Sequence, residues 1–158
     1  MNLNPAKEVP SGLLFQNTWR NMKLKKKLSC ILLIDDDFDD NVFHRIVIGK
    51  TGIAESIDEA NDGVEALEHL KARATPPELI FLDINMPRMN GWEFLEEYSH
   101  LDATQKAKTI IVMLTTSANP DELKKAKEIE EVSGFKTKPL SREMLTEIMQ
   151  QFFRDHLE

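Results

Sequence analysis

The stretch LIFLDINMPRMNG, Leu79–Gly91, decides how the rest of the chain is read. Its first four residues, Leu79–Leu82, are consecutively apolar, which predicts a strand buried on both faces. Such a strand belongs to a parallel sheet covered by helices. The strand stops at a single carboxylate, Asp83, and a loop carrying Pro87 and Gly91 follows. An ionised carboxylate beside a dry core is unfavourable unless something partners it, so Asp83 needs groups from elsewhere in the chain or from solution.

The same signature recurs on either side. SCILLI (29–34), IAESIDEA (53–60), TIIVML (109–114) and VSGF (132–135) read as four further strands, with Cys30 a small buried residue of the first. Between them lie segments of helical period. Val42, Phe43, Ile46 and Val47 fall at helical spacing, as do Val64, Leu67 and Leu70, and then Trp92, Leu95, Tyr98 and Leu101. Asn119 precedes Pro120, Asp121 and Glu122, a helix start with a cap, a first-position proline and first-turn acids. Ser141 starts the last helix, with Leu140 and Leu145 placed as a staple and Leu145, Ile148, Met149 and Phe152 as its inner stripe. Five strands alternating with five helices predict an α/β doubly wound parallel sheet with right-handed crossovers. Sites in such sheets lie beyond the carboxyl ends of the strands.

That edge collects Asp35, Asp36 and Asp37 after the first strand, Asp83 after the third, Thr115, Thr116 and Ser117 after the fourth, and Lys138 after the fifth. Converging Asp35, Asp36 and Asp83 against Lys138 leaves a surplus of negative charge, and like carboxylates raise one another's pKa. An all-oxygen donor set points to Mg²⁺ or Mn²⁺. Such a site suits phosphoryl transfer, in which Asp83 is the nucleophile, Asp35 and Asp36 hold the metal, and Lys138 and Thr115 contact phosphate oxygens. Asp37, Asp39 and Asp40 read as acids complementing a helix start. His44, His69, His100 and His156 read as surface or rim residues, and Trp92 as packing.

The motifs LIDDD, LIFLDINMPRMNG, VMLTTSANP and GFKTKPL, in this order and spacing, resemble the receiver domain of two-component response regulators. The resemblance implies a flavodoxin-like (βα)5 fold with strand order 2-1-3-4-5 over residues 27–156. It implies that Asp83 accepts a phosphoryl group and that Asp35, Asp36, Asp83 and the Asn85 carbonyl bind Mg²⁺ (or Mn²⁺). Thr115 and Phe135 become the switch pair, Lys138 the phosphate-binding lysine, and Asn85 and Ser117 the positions that tune phosphate lifetime. A cis bond before Pro139 is also implied. The donor is then a sensor histidine kinase or a histidine phosphotransfer protein. The surface of the fourth helix, fifth strand and fifth helix switches for a downstream protein or a second copy. A receiver of this kind is a phosphorylation switch rather than an enzyme, and after Phe153 no output domain is expected. Two competing readings are a Mg²⁺-dependent phosphatase of the haloacid-dehalogenase type and a receiver-shaped binding module that takes no phosphate. The first would need a hydroxyl residue or valine where DDDFD places Asp39, and an acidic pair after Lys138.

Composition fits this frame. The chain has 158 residues, 41% of them apolar, with formal charge −7 and pI near 5.2. That suits one domain with a full core and gives no support to nucleic-acid binding. One cysteine excludes a disulfide framework and points to a reducing, cytoplasmic setting. No apolar run reaches membrane-spanning length. MKLKKKLSC (22–30) resembles a secretion signal only superficially, because Leu28 and Ser29 alone separate the lysines from Cys30. Residues 1–26 read as a loose, basic lead-in in which GLLFQNTW (12–19) is placed to dock or to start a short helix. Leu157 and Glu158 read as an appendage outside the fold.

Overall fold

In a computed structural model, which describes residues 22–106, 108–117 and 119–158, the alternating pattern resolves into one sheet. Its strands are β1 (Leu28–Ile34), β2 (Ala54–Ala60), β3 (Leu79–Leu82), β4 (Ile110–Thr115) and β5 (Val132–Thr137), all parallel, in the order β2-β1-β3-β4-β5. The helices are α1 (Phe38–Thr51), α2 (Gly63–Ala72), α3 (Gly91–Ser99), α4 (Pro120–Lys127) and α5 (Arg142–Phe152). A single helical turn, Ala103–Lys106, occupies the connection before β4.

Alternate residues of each central strand enter two separate cores. Leu32, Ile34, Ile80, Leu82, Ile111 and Met113 face one side and meet Leu70, Phe94, Leu95 and Tyr98 of α2 and α3, with Ala126 of α4. Ile31, Leu33, Leu79, Phe81, Val112 and Leu114 face the other and meet Ile48 of α1 and Leu145, Ile148 and Met149 of α5. This double burial is why the strands read as unbroken apolar runs. The predicted caps of α4 and α5 are present: Asn119 accepts from the Asp121 N–H and Ser141 from the Met144 N–H. Leu140 and Leu145 are both buried at the start of α5.

Several expectations change. The α1 residues that turn inward are Asn41, His44 and Ile48, whereas Val42, Phe43 and Ile46 face solvent. The apolar spacing was right, but the helix is rotated so that its polar Asn41 lies beneath the strand ends. In α3 the buried residues include Phe94, which the predicted stripe omitted, while Trp92 stays half-buried with the Lys125 ammonium 4.5 Å from its ring centroid. β5 runs two residues past VSGF.

His44 and His156 are buried rather than at the rim. His156 sits against the Phe153 ring and Glu78, with Nδ1 3.2 Å from the Lys26 carbonyl. Leu157 and Glu158 belong to the fold: Leu157 bridges Leu24 in antiparallel fashion, and the Glu158 N–H donates to the Lys23 carbonyl. Residues 22–26, read as loose, are tied by these bonds and by the Lys25 and Lys26 N–H groups donating to the His156 carbonyl. GLLFQNTW (12–19) and Trp19 lie outside the described residues.

Candidate functional site

The site grows from the sheet ladder. The last ladder bonds of β1 and β3 carry the Asp35 N–H to the Ala60 carbonyl (3.0 Å) and the Asp83 N–H to the Ile34 carbonyl (2.9 Å). Both aspartates are thereby delivered to the carboxyl edge from neighbouring strands. Asp37 caps α1, accepting from the Asp40 N–H, and its own N–H donates to Asp35 Oδ1 at 2.9 Å. The Asn41 Nδ2 donates to the Asp35 carbonyl at 2.9 Å, which explains why this polar residue points inward.

The loop after Asp83 is held from three sides. The Gly91 N–H donates to the Ile84 carbonyl at 2.8 Å, and a Cβ on Gly91 would lie 2.5 Å from the Asp83 carbonyl oxygen, so only glycine allows this close approach. Asn90 and Glu93 form a reciprocal capping box at the start of α3. Arg88 then reaches back to Asp62, the buried cap of α2, at 2.7 Å. Burial alone would raise the Asp62 pKa, but the Glu65 N–H and the Arg88 guanidinium hold it below the usual value.

At the edge, Asp35, Asp36 and Asp83 each present a carboxylate oxygen within 4.8 Å of the others. The Lys138 ammonium donates to Asp35 Oδ2 at 2.6 Å and to Asp40 Oδ2 at 2.8 Å, and stands 3.7 Å from Asp83 Oδ1. Its backbone N–H donates to the Thr115 carbonyl, and a cis peptide precedes Pro139, as the resemblance implied. Three carboxylates, Asp35, Asp40 and Asp83, share one ammonium, and with Asp36 beside them the group carries a formal −3. Burial, and next the charge of Asp35, push the Asp83 pKa from an ordinary 3.8 to about 6, against the opposing pull of Lys138. Burial disfavours the Lys138 charge, yet its hydrogen bonds to Asp35 and Asp40 more than offset this and move its pKa upward. His44 lies under the same groups, and burial, then the Lys138 charge, hold it below its usual value.

The sequence-derived residues therefore converge unevenly. Asp35, Asp36, Asp83, Asn85 and Lys138 line one basin, with Asn85 at its exposed rim. Thr115 is buried at the end of β4, Thr116 is the hydroxyl residue lining the basin, and Ser117 is exposed. Phe135 is half-buried on β5, packed against the α2–α3 core. Asp40 was missed. Its place among first-turn acids gave an adequate reason for its charge, and only the rotation of α1 brings it to Lys138. The donor set is all oxygen, and its surplus negative charge fits a divalent cation held by Asp35, Asp36 and Asp83.

Comparisons with known proteins agree with this geometry. Residues 31–150 match the response regulator receiver domain. A chemotaxis protein CheY from Halobacterium salinarum is 34% identical over 113 residues, 71% of this chain and 86% of that protein. A two-component response regulator from Cytophaga hutchinsonii superposes with TM-score 0.73 at 30% identity, covering 82% of this chain and 99% of that one. The Mn²⁺-bound form of response regulator Rcp1 superposes with TM-score 0.64 at 26% identity, covering 78% and 93%. A five-stranded sheet in the order 2-1-3-4-5 with an acidic basin at its carboxyl edge defines a receiver fold. The chain belongs to the response regulator receiver family, whose members are phosphorylatable signalling switches.

Proposed function

We propose that Asp83 is the phosphoacceptor of this receiver and that the reaction depends on Mg²⁺ or Mn²⁺ held by Asp35, Asp36 and Asp83, with the Asn85 carbonyl as a further ligand. The observation that carries this reading is the Asp83 carboxyl itself, nearly buried yet crowded by Asp35 and Asp36, with Lys138 only 3.7 Å away. A bound divalent cation neutralises this charge and polarises the phosphoryl oxygens.

In the transfer, an Asp83 carboxylate oxygen attacks phosphorus, the bond to the donor breaks, and the donor leaves with its electron pair. The donor is a histidine kinase, a histidine phosphotransfer protein or a small acyl phosphate. Lys138 turns from Asp40 toward a phosphoryl oxygen. Thr115, at the end of β4, follows the phosphoryl group, and Phe135 fills the space behind it. The α4–β5–α5 surface is thereby biased between two arrangements for a downstream protein. Asn85 at the rim and the exposed Ser117 set how readily water reaches the acyl phosphate. The family match leaves the dehalogenase-type phosphatase without support.

Incubation with Mg²⁺ and acetyl phosphate should add one phosphoryl group to the wild type and none to Asp83→Asn, read by intact mass. A mutant labelled at the wild-type level would remove Asp83 from its role. Lys138→Ala should keep cation binding but lose the phosphorylation-dependent change in the amide spectrum of α4, β5 and α5. A normal spectral change in that variant would assign the coupling elsewhere.

A further inference from the structure

Among the described residues, the large apolar side chains left exposed are Phe38 (76%), Val42 (41%), Phe43 (47%) and Ile46 (50%), and all lie on α1. They form a stripe about 12 Å long, from the rim of the acidic basin, which Phe38 lines, toward the opposite end of the helix. Contiguous exposed apolar surface of this kind is covered in the working state of a protein.

We propose that the occupant is this chain's own segment Gly12–Trp19, docked along α1. Three observations favour it. The first is where the described chain begins. Met22 packs against the buried cluster that contains Ile48 of α1 and Leu145, Ile148 and Met149 of α5, on the face of the sheet that α1 shares with α5. The second is reach. From Val47 to Phe38 is about 14 Å along the helix axis, and ten residues upstream of Met22 span about 15 Å even when helical and about 33 Å when extended.

The third is chemistry. Leu13, Leu14, Phe15 and Trp19 match an apolar stripe. Residues 1–27 carry Lys7, Arg20, Lys23, Lys25, Lys26 and Lys27 against the single acid Glu8, in a chain of net charge −7. Opposite them, Asp36, Asp37 and Asp39 stand exposed at the start of α1. The docking itself does not depend on phosphoryl transfer.

The test uses the full chain without any phosphodonor, with benzoyl-phenylalanine in place of Phe43. Photolysis in dilute solution should link position 43 to peptide 12–20 within one chain, and Phe15→Ser/Trp19→Ser should abolish the link. Amide exchange over residues 38–46 should rise several-fold in the double variant, whose unchanged acetyl-phosphate labelling reports an intact fold. Links joining two chains would make a second copy the occupant and overturn the proposal. So would the absence of any link to residues 12–20, or exchange rates unchanged by the double substitution.

Discussion

Helices α1 and α5 pack beside one another on the same face of the sheet, and both carry apolar residues at helical spacing, yet they use them in opposite ways. In α5, Leu145, Ile148 and Met149 are buried and the helix is part of the core. In α1 the inward positions include Asn41 and His44, with Ile48, and the apolar Val42, Phe43 and Ile46 are turned out. The difference lies at the N-terminal end. α5 starts after the site, at Ser141, whereas α1 starts within it, with Asp37 as its cap. The inward face of α1 must supply polar groups to the strand ends: Asn41 to the Asp35 carbonyl and Asp40 to Lys138. A helix can have a clear apolar stripe without that stripe being its buried face.

The largest effect is expected in α5. Leu145→Ala removes a fully buried side chain and should lower unfolding free energy by about 3 kcal/mol, measured by denaturant titration. A loss as small as that of a surface substitution would mean that α5 is not a core helix.

At the site the sign reverses. The folded protein keeps the Asp83 proton up to about pH 6, whereas its ordinary pKa is 3.8, so ionisation of this group opposes folding. Wild-type stability without metal should fall as pH rises through that window. Asp83→Asn should lack this fall and be more stable by about 2 kcal/mol at pH 7. Saturating Mg²⁺ should shrink or reverse the difference.

Asn41→Ala withdraws the donor from the Asp35 carbonyl and should cost about 1 kcal/mol. It sharpens the comparison by showing that the inner face of α1 is held by polar bonds. Ile46→Ala, on the exposed stripe, should change stability by less than about 1 kcal/mol. A cost equal to that of Leu145→Ala would place Ile46 in a core and undo the contrast.

The sheet was legible because doubly buried strands leave a period-free apolar signature, and each such run was bounded by turn or cap residues. Asp35, Asp36, Asp83 and Lys138 were legible because each follows a strand, where the fold class itself predicts a site. The rotation of α1 was not legible. Its apolar residues outnumber the polar ones that turn inward, and nothing local distinguishes an acid that complements a helix start from one that meets a distant ammonium 98 residues away. The Arg88–Asp62 pair was hidden for the same reason, since it joins a loop to the cap of another helix. The pairing of residues 22–26 with the chain's last residues carries no periodic signal at all.

The most direct measurement is a ¹³C NMR titration of the Asp83 carboxyl with and without Mg²⁺. Burial of Asp83 beside Asp35 and Asp36, with cation binding to relieve the excess charge, predicts a midpoint near 6 without metal. With metal, the midpoint should fall below the ordinary carboxylate range. An ordinary midpoint in both titrations would contradict the account, because Asp83 would then be neither crowded by its neighbours nor a ligand of the cation.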